Sequence, residues 1–449
     1  MIKKRYILIH AYTYFSEEET QFWNSLAEAF RNKGFEMFLL APCLPKEELN
    51  FEYDLFYERL KLVPKNLLNY SYPLTTSSIN RYEQVEIKWY GTQNVDIAPA
   101  IRFKFNYFNT LIDELNPAIV VMANGEHAVE LIFRAVITEK KVPLTFFERG
   151  ALPKTWQIDD QGITAQTKIA HEKFDENRFR KTERFEVYKE IFFQLKDTWW
   201  GQPKAKEGIS IRAKYHCPET TNMVVFANQL DNDTSNFINS PLFSDNAEAF
   251  RWFCAQLKNI GFEGFLLIKK HPMFQGDSTL FTSSLKEFDL KGAWSEDLPL
   301  TMCLEQCDSV VAVNSSLIYE ALLYEKPVLQ LGLSILSNKE IAYSITDKVD
   351  IKPILDWYAK IGSEHRLNRF ARFMDYFVDH ELTFFHERYL QAGFNGVEFF
   401  VKTILNKRLS ESKGRYIKRT KNKFLLTEKN TRFRKFKRRI MNKLKRLAH

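Results

Sequence analysis

The chain has 449 residues, of which 45% are hydrophobic and 27% charged, a balance that excludes wholesale disorder and leaves room for two or three domains. No apolar run approaches the roughly 18 residues that a membrane-spanning helix needs. The net charge of +8 is a sum of opposites: residues 406–449 hold 18 Lys and Arg against only Glu411 and Glu428, whereas residues 1–405 carry 46 basic and 54 acidic side chains. A mildly acidic body with a basic tail points to a polyanionic surface as partner.

The first apolar run, Tyr6–Ile9 before His10, is too short for the core of a signal peptide, and Tyr6–His10 reads as a strand. Glu17–Lys33 has helical spacing (Phe22, Leu26, Ala29, Phe30), Gly34 stops it, and Phe35–Ala41 is again apolar. Residues 42–100 are rich in aromatics and show no clear period. Strand grammar resumes with Ala118–Ala123, a helix after Glu126, and Val142–Phe147, which runs into Glu148-Arg149-Gly150. After a charged, loop-like stretch at Gln202–Gly208 the pattern restarts. Met223–Ala227, Phe265–Ile268, Ser309–Val313 and Pro327–Leu331 read as buried strands, with helices at Asn246–Lys258 and Leu317–Tyr324. Short apolar runs alternating with helices predict parallel sheets covered on both faces. The expected organisation is two Rossmann-like domains, 1–205 and 206–405, facing a cleft, the last helices free to cross back to the first domain, and a basic tail at 406–449.

Several chemistries are absent from this pattern. No Gly-x-Gly-x-x-Gly follows a strand, and there is no Gly-Lys-Ser/Thr loop, zinc spacing, His-Glu-x-x-His or Gly-x-Ser-x-Gly elbow. The five cysteines (Cys43, Cys217, Cys254, Cys303, Cys307) are odd in number and scattered through apolar stretches, as expected of buried thiols in a reducing cytosol. No metal and no cofactor are expected.

The polar clusters all fall at the carboxyl ends of predicted strands, where ligands bind in such sheets. Asn314-Ser315-Ser316 lies between a strand and a helix and would offer hydroxyls and backbone N–H groups to an anion; simple helix capping is the plain alternative. Glu320, one turn further on, could accept hydrogen bonds from a ribose. His271-Pro272 follows a strand, and the proline would fix the loop so that the imidazole faces the cleft. Gln229-Leu230-Asp231-Asn232-Asp233 supplies two carboxylates that serve either as turn formers or as a nucleophile or base. Glu148-Arg149-Gly150 has the same ambiguity.

Taken in order, Glu-x-Gly-x-Leu-Pro-x-Thr, Gln-x-x-x-Asp-Thr/Ser, Lys-x-His-Pro and Asn-Ser-Ser-x-x-x-Glu-Ala-Leu-x-x-x-Lys-Pro-Val resemble the bacterial capsule polysaccharide biosynthesis family over roughly residues 118–332. That family includes retaining β-Kdo glycosyltransferases of capsule linkers, and similar modules finish some O-antigens. The resemblance implies a GT-B fold, a CMP-sugar donor held mainly by the second domain, a glycan or glycolipid acceptor held by the first, and no metal. It implies that Gln229, Lys269, His271, Pro272, Asn314, Ser315, Ser316 and Glu320 surround the donor nucleotide. Asp233 becomes the candidate nucleophile, with Asp231 as its competitor, and Glu148 a base or acceptor-orienting group. His271 would stabilise departing CMP, and Lys269, Lys270 or Arg149 would hold the sugar's own carboxylate. Leu230 stands where the family has proline, a departure that bears on subfamily and donor. Other activated donors (CMP-sialic acid, a UDP-sugar, CDP-glycerol) share this architecture. A non-enzymatic scaffold binding nucleic acid through the tail would leave the cleft motifs unexplained.

The tail carries a further expectation. On a helix from Arg432, residues Phe433, Phe436, Ile440, Leu444 and Leu447 make one apolar stripe flanked by Lys and Arg. Such a helix lies in the interface of anionic lipid, which would hold the enzyme on the inner face of the cytoplasmic membrane.

Overall fold

A computed structural model describes residues 4–11, 17–41, 48–55, 98–195, 210–230, 233–359 and 363–412. Asp231, the stretch 202–208 with the expected domain boundary at 205/206, most of 42–100, and the tail stripe from Arg432 lie outside the described residues. Residues 405–449 separate from the rest as a unit of their own.

The first half is organised by strands β1 (Tyr6–His10), β2 (Glu36–Ala41), β3 (Glu52–Leu55), β4 (Ile119–Ala123), β5 (Leu144–Arg149) and β6 (Thr155–Asp159). They lie in the order β6-β5-β4-β1-β2-β3, parallel except for the β5–β6 hairpin. Central strands β1 and β4 are apolar on both faces because helices cover both: Ile7, Leu8 and Ile9 and the whole of β4 are buried. The helix α1 (Glu17–Arg31) opens on three glutamates, which suit the positive end of the helix, and buries Phe22, Trp23, Leu26 and Phe30.

The second half contains β7 (Met223–Ala227), β8 (Phe265–Lys269), β9 (Lys291–Ser295), β10 (Ser309–Ala312), β11 (Val328–Gln330) and β12 (Tyr343–Ser344). All are parallel, in the order β12-β11-β10-β7-β8-β9. Renumbered within each half, both orders read 3-2-1-4-5-6, the Rossmann order, and the direction of winding reverses between β1 and β4 and between β7 and β10. The fold is thus mixed α/β with two Rossmann-like sheets, the GT-B arrangement.

The chain then crosses back. Strand β13 (Leu382–Phe384) adds antiparallel to β6, with Thr383 opposite Trp156. Phe400, from the helix beginning at Val397, packs against Phe22, Trp23 and Phe147 with ring centroids 5.6, 6.4 and 6.1 Å away. Helix Ser363–His380 also joins the halves: Asp375 accepts from the Thr182 N–H and hydroxyl and from the Phe185 N–H. Nearer the cleft, Asn239 donates to the Thr164 hydroxyl at 2.7 Å and accepts from the Leu333 N–H through its carbonyl. One continuous apolar cluster runs through these elements, from Leu152 and Phe185 to Val310 and Phe377.

Candidate functional site

The two winding reversals create the site. Four strand ends, β1 and β4 from the first sheet and β7 and β10 from the second, open crevices into which short loops project. Beside them β5 delivers Glu148 and β8 delivers His271.

In the first half, β4 ends in Asn124-Gly125. Gly125 has φ +85, and a Cβ there would lie 2.5 Å from the Phe146 ring, so only glycine allows the chain to turn this sharply. Asn124 uses the turn twice: its Oδ1 accepts from the Glu126 N–H, and its Nδ2 donates to Glu148 Oε2 at 3.0 Å. Glu148 Oε1 accepts from the Arg149 N–H at 2.9 Å. The carboxylate is therefore clamped at the cleft edge. Gly150 permits the hairpin that presents it, since a Cβ there would meet the Thr155 hydroxyl at 2.0 Å.

In the second half, Gln229 is buried and its side chain is spent within the protein. Its Nε2 donates to Asn236 Oδ1 (3.1 Å) and Asn314 Oδ1 (2.9 Å), and its Oε1 accepts from the N–H groups of Val313 and Asn314 (3.1 and 3.0 Å). An amide has two donors and two acceptor lone pairs, and all four are used. Gln229 is thus a brace that ties the loop after β7 to the end of β10, rather than the direct nucleotide contact expected from sequence. Asn236 repeats the theme by donating to the Leu230 carbonyl, and the Asp233 N–H closes a turn onto the same oxygen. These bonds hold Asp233, half-buried, at the strand end.

His271 sits at the next strand end. Its Nδ1 accepts from the Met273 N–H at 3.2 Å, so the neutral ring carries its proton on Nε2. Burial lowers its pKa; Asp233 opposes that shift and Lys269 adds to it. His271 is therefore a neutral hydrogen-bond donor near Asp233. Pro272 is exposed beside it.

Asn314 is buried and bonded to Gln229, whereas Ser315 is half-buried and Ser316 exposed. The Ser315 hydroxyl accepts from the Leu317 N–H at 3.2 Å in a short turn ahead of the helix, whose N-cap Ser316 makes no side-chain capping bond, and its own proton can still be donated. Glu320 lies one turn into helix Leu317–Leu323, and burial alone pushes its carboxyl up to about 7.

The cations expected to hold a sugar carboxylate are already engaged. Lys269 is buried on the face of β8 that packs against Cys303, its Nζ donates to the Lys270 carbonyl at 2.9 Å, and burial lowers its pKa. Lys270 lies 3.2 Å from Glu296, and Arg149 lies 2.8 Å from Glu19.

Sequence reading missed one group. His127, at the start of helix Ala128–Glu139, is the residue on which the two halves converge: Glu148 and Asp233 both act on its charge. Behind it lies buried Glu130, and behind that His10, the last residue of β1. A strand-terminal His and a Glu three residues past another His were the available signals, but only the fold makes them neighbours. Among the described residues, no group of three or more His, Cys, Asp or Glu is placed to hold a metal ion.

Residues 169–345 match the family model described as "Capsule polysaccharide biosynthesis protein". The matched segment contains Gln229 to Asp233, His271-Pro272 and Asn314 to Ser316. A search of curated proteins finds no match. Among solved structures, the chain is similar to the β-Kdo 2,7 transferase of Thermosulfurimonas dismutans KpsC, with 14% identity, 62% of this chain and 83% of that one covered, and a TM-score of 0.36. A glycosyltransferase from Rickettsia africae is 10% identical over 92% of this chain and 99% of that one, with a TM-score of 0.37. A UDP-GlcNAc 2-epimerase from Neisseria meningitidis, bound to UDP-GlcNAc, is 9% identical over 90% and 100%, with a TM-score of 0.35. With TM-scores below 0.5, these likenesses add nothing to the architecture read from the strand orders themselves.

Proposed function

We propose that this protein is a glycosyltransferase of capsule or O-antigen synthesis that moves Kdo from CMP-β-Kdo to a bacterial surface glycan or glycolipid with retention of configuration. The observation that carries the reading is that Glu148 from the first sheet and Asp233 from the second both act on His127, and Asp233 acts on His271 as well, at the carboxyl ends of two Rossmann-ordered sheets. Retention by double displacement needs a carboxylate beside the reacting carbon. In this reading Asp233 attacks the anomeric carbon as the bond to CMP breaks, and the electron pair leaves on the phosphate. The Nε2–H of His271 and the Ser315 hydroxyl donate to the developing negative charge. Gln229 acts at one remove, holding the Asp233 loop and Asn314 in register. Glu148, clamped by Asn124, orients the acceptor, and Glu320 faces the ribose. Residues 406–449 bring the enzyme to an anionic membrane surface, where a lipid-linked acceptor would be found.

The test is ligand-dependent melting of the full chain with CMP, CDP, UDP and GDP. A ligand at about 100 times its Kd stabilises the state it binds by about 2.7 kcal/mol, so CMP should raise the melting temperature most. Asp233→Ala should keep that shift and lose transfer. A larger shift with UDP or GDP would redirect the donor assignment, on which Leu230 in place of proline already bears.

A further inference from the structure

His127 has a setting that none of the donor-side chemistry uses. It ends the loop after β4, at the winding reversal of the first sheet, in extended backbone, and its side chain makes no capping bond to the helix it precedes. Its Nδ1 faces Glu130 Oε1 at 3.7 Å, and His10 Nδ1 approaches the same oxygen at 3.8 Å. Glu130 and His10 are both almost wholly buried, with side chains 4% and 5% exposed, whereas His127 is 19% exposed. A buried carboxylate between two imidazoles, only one of which reaches the cleft, is the arrangement of a base held by an orienting group. With Nδ1 turned toward Glu130, Nε2 lies on the opposite side of the ring. On the cleft side, both Glu148 and Asp233 act on the charge of His127. Glu148 is the less suitable proton carrier, because each of its oxygens already accepts a hydrogen bond from the protein.

We propose that His127 is the catalytic base for the acceptor half of the reaction and that Glu130, backed by His10, is its positioning residue. The inference rests on the glycosyl-transfer reading above. In the second displacement the acceptor's hydroxyl oxygen bonds to the anomeric carbon while the bond from that carbon to Asp233 breaks. The electron pair of the broken bond returns to the Asp233 carboxylate. The hydroxyl proton passes to Nε2 of His127 and from there to solvent, so the enzyme ends as it began.

The electrostatics agree with this role. Burial works against a charge on His127, but Glu130, then Glu148 and Asp233, outweigh it and hold the imidazole above its usual pKa, while the pKa of His10 is lowered, chiefly by burial. Burial likewise opposes the charge of Glu130, yet the two histidines keep its pKa below the ordinary value. Among the described residues, the titratable groups that act on His127 include Glu130 on its own helix, His10 on β1, Glu148 on β5 and Asp233 after β7.

The experiment uses full-length protein, CMP-Kdo as donor and methanol as the acceptor alcohol, with CMP release and decay of the glycosyl-enzyme followed separately. His127→Asn should release the first equivalent of CMP within a few-fold of the wild-type rate. Decay of its glycosyl-enzyme in methanol should be slower by about 100- to 10,000-fold, the usual contribution of a general base. Azide, a nucleophile with no proton to lose, should discharge the variant as fast as the wild type. In Glu130→Gln the rise of the decay rate with pH should move to lower pH, because the imidazole loses the carboxylate that favours its protonated form. Equal slowing with methanol and azide would reduce His127 to a structural role and overturn the proposal, as would wild-type decay in methanol or an unmoved pH limb in Glu130→Gln. A wild-type protein that melts higher with CMP but forms no glycosyl-enzyme would overturn both this proposal and the double displacement beneath it. Normal glycosyl-enzyme formation with normal discharge in His127→Asn would overturn this proposal alone.

Discussion

Gln229→Ala should damage the site without removing any group that touches substrate. The side chain makes four hydrogen bonds between 2.9 and 3.1 Å, two of them from the N–H groups of Val313 and Asn314. A typical buried hydrogen bond contributes about 1 kcal/mol net, and the unpaired partner costs more than that where water cannot replace it. Full loss of the brace therefore predicts about 4 kcal/mol, and water entering the space vacated would bring this down to about 2 kcal/mol. Gln229→Glu should fall between alanine and wild type. Its carboxylate can still accept from the two backbone N–H groups, but it meets the amide oxygens of Asn236 and Asn314; turning Asn236 over would sacrifice its bond to the Leu230 carbonyl. Urea denaturation monitored by tryptophan fluorescence measures the stability change, and calorimetry with CMP measures the consequence for the donor side. Gln229→Ala with a loss under about 0.5 kcal/mol and unchanged CMP affinity would refute the reasoning, since a surface substitution does as little.

Burial holds the Glu320 carboxyl at about 7 against an ordinary value of 4.5. Its folded-state pKa is raised, so its neutral form is compatible with folding below pH 4.5, and stability is lost as pH rises from 4.5 through 7, by about 3 kcal/mol at most on the scale of 1.36 kcal/mol per unit. Glu320→Gln should remove that part of the pH dependence and stabilise the protein at pH 8, measured by denaturant midpoints at several pH values; parallel profiles for variant and wild type would count against it. For the tail, full-length protein should sediment with anionic vesicles and a 1–405 truncation should not, each basic residue near such a surface contributing about 1 kcal/mol. Equal recovery of both on anionic vesicles would sink the membrane role.

Much of the scaffold was legible because central parallel strands are apolar on both faces. Tyr6–His10 and Met223–Ala227 were read to the residue, and Glu36–Ala41, Ile119–Ala123 and Phe265–Lys269 to within one. Strands at sheet margins escaped. Lys291–Ser295 is short and half-exposed, Tyr343–Ser344 has two residues, and Leu382–Phe384 is defined only by its pairing with Thr155–Gln157, more than 200 positions earlier in the chain. The loops after β7, β8 and β10 could be singled out because each follows a strong strand and carries residues with distinctive chemistry. The role of Gln229 was not legible, because a side chain whose partners are Asn236, Val313 and Asn314 looks no different in sequence from one that faces a ligand. His127 was missed for a related reason. Its carboxylate partner is local, but His10 and the cleft that give it meaning are assembled by the sheet order.

The central claim is that Asp233 forms a covalent bond to a sugar delivered by CMP. Full-length protein incubated with CMP-Kdo, quenched in acid and mapped by peptide mass spectrometry tests it most directly. The account predicts one added Kdo residue on the peptide containing Asp233, with one equivalent of CMP released, and no addition in Asp233→Ala. Addition at Asp231 instead, or transfer to acceptor by Asp233→Ala at the wild-type rate, would contradict it.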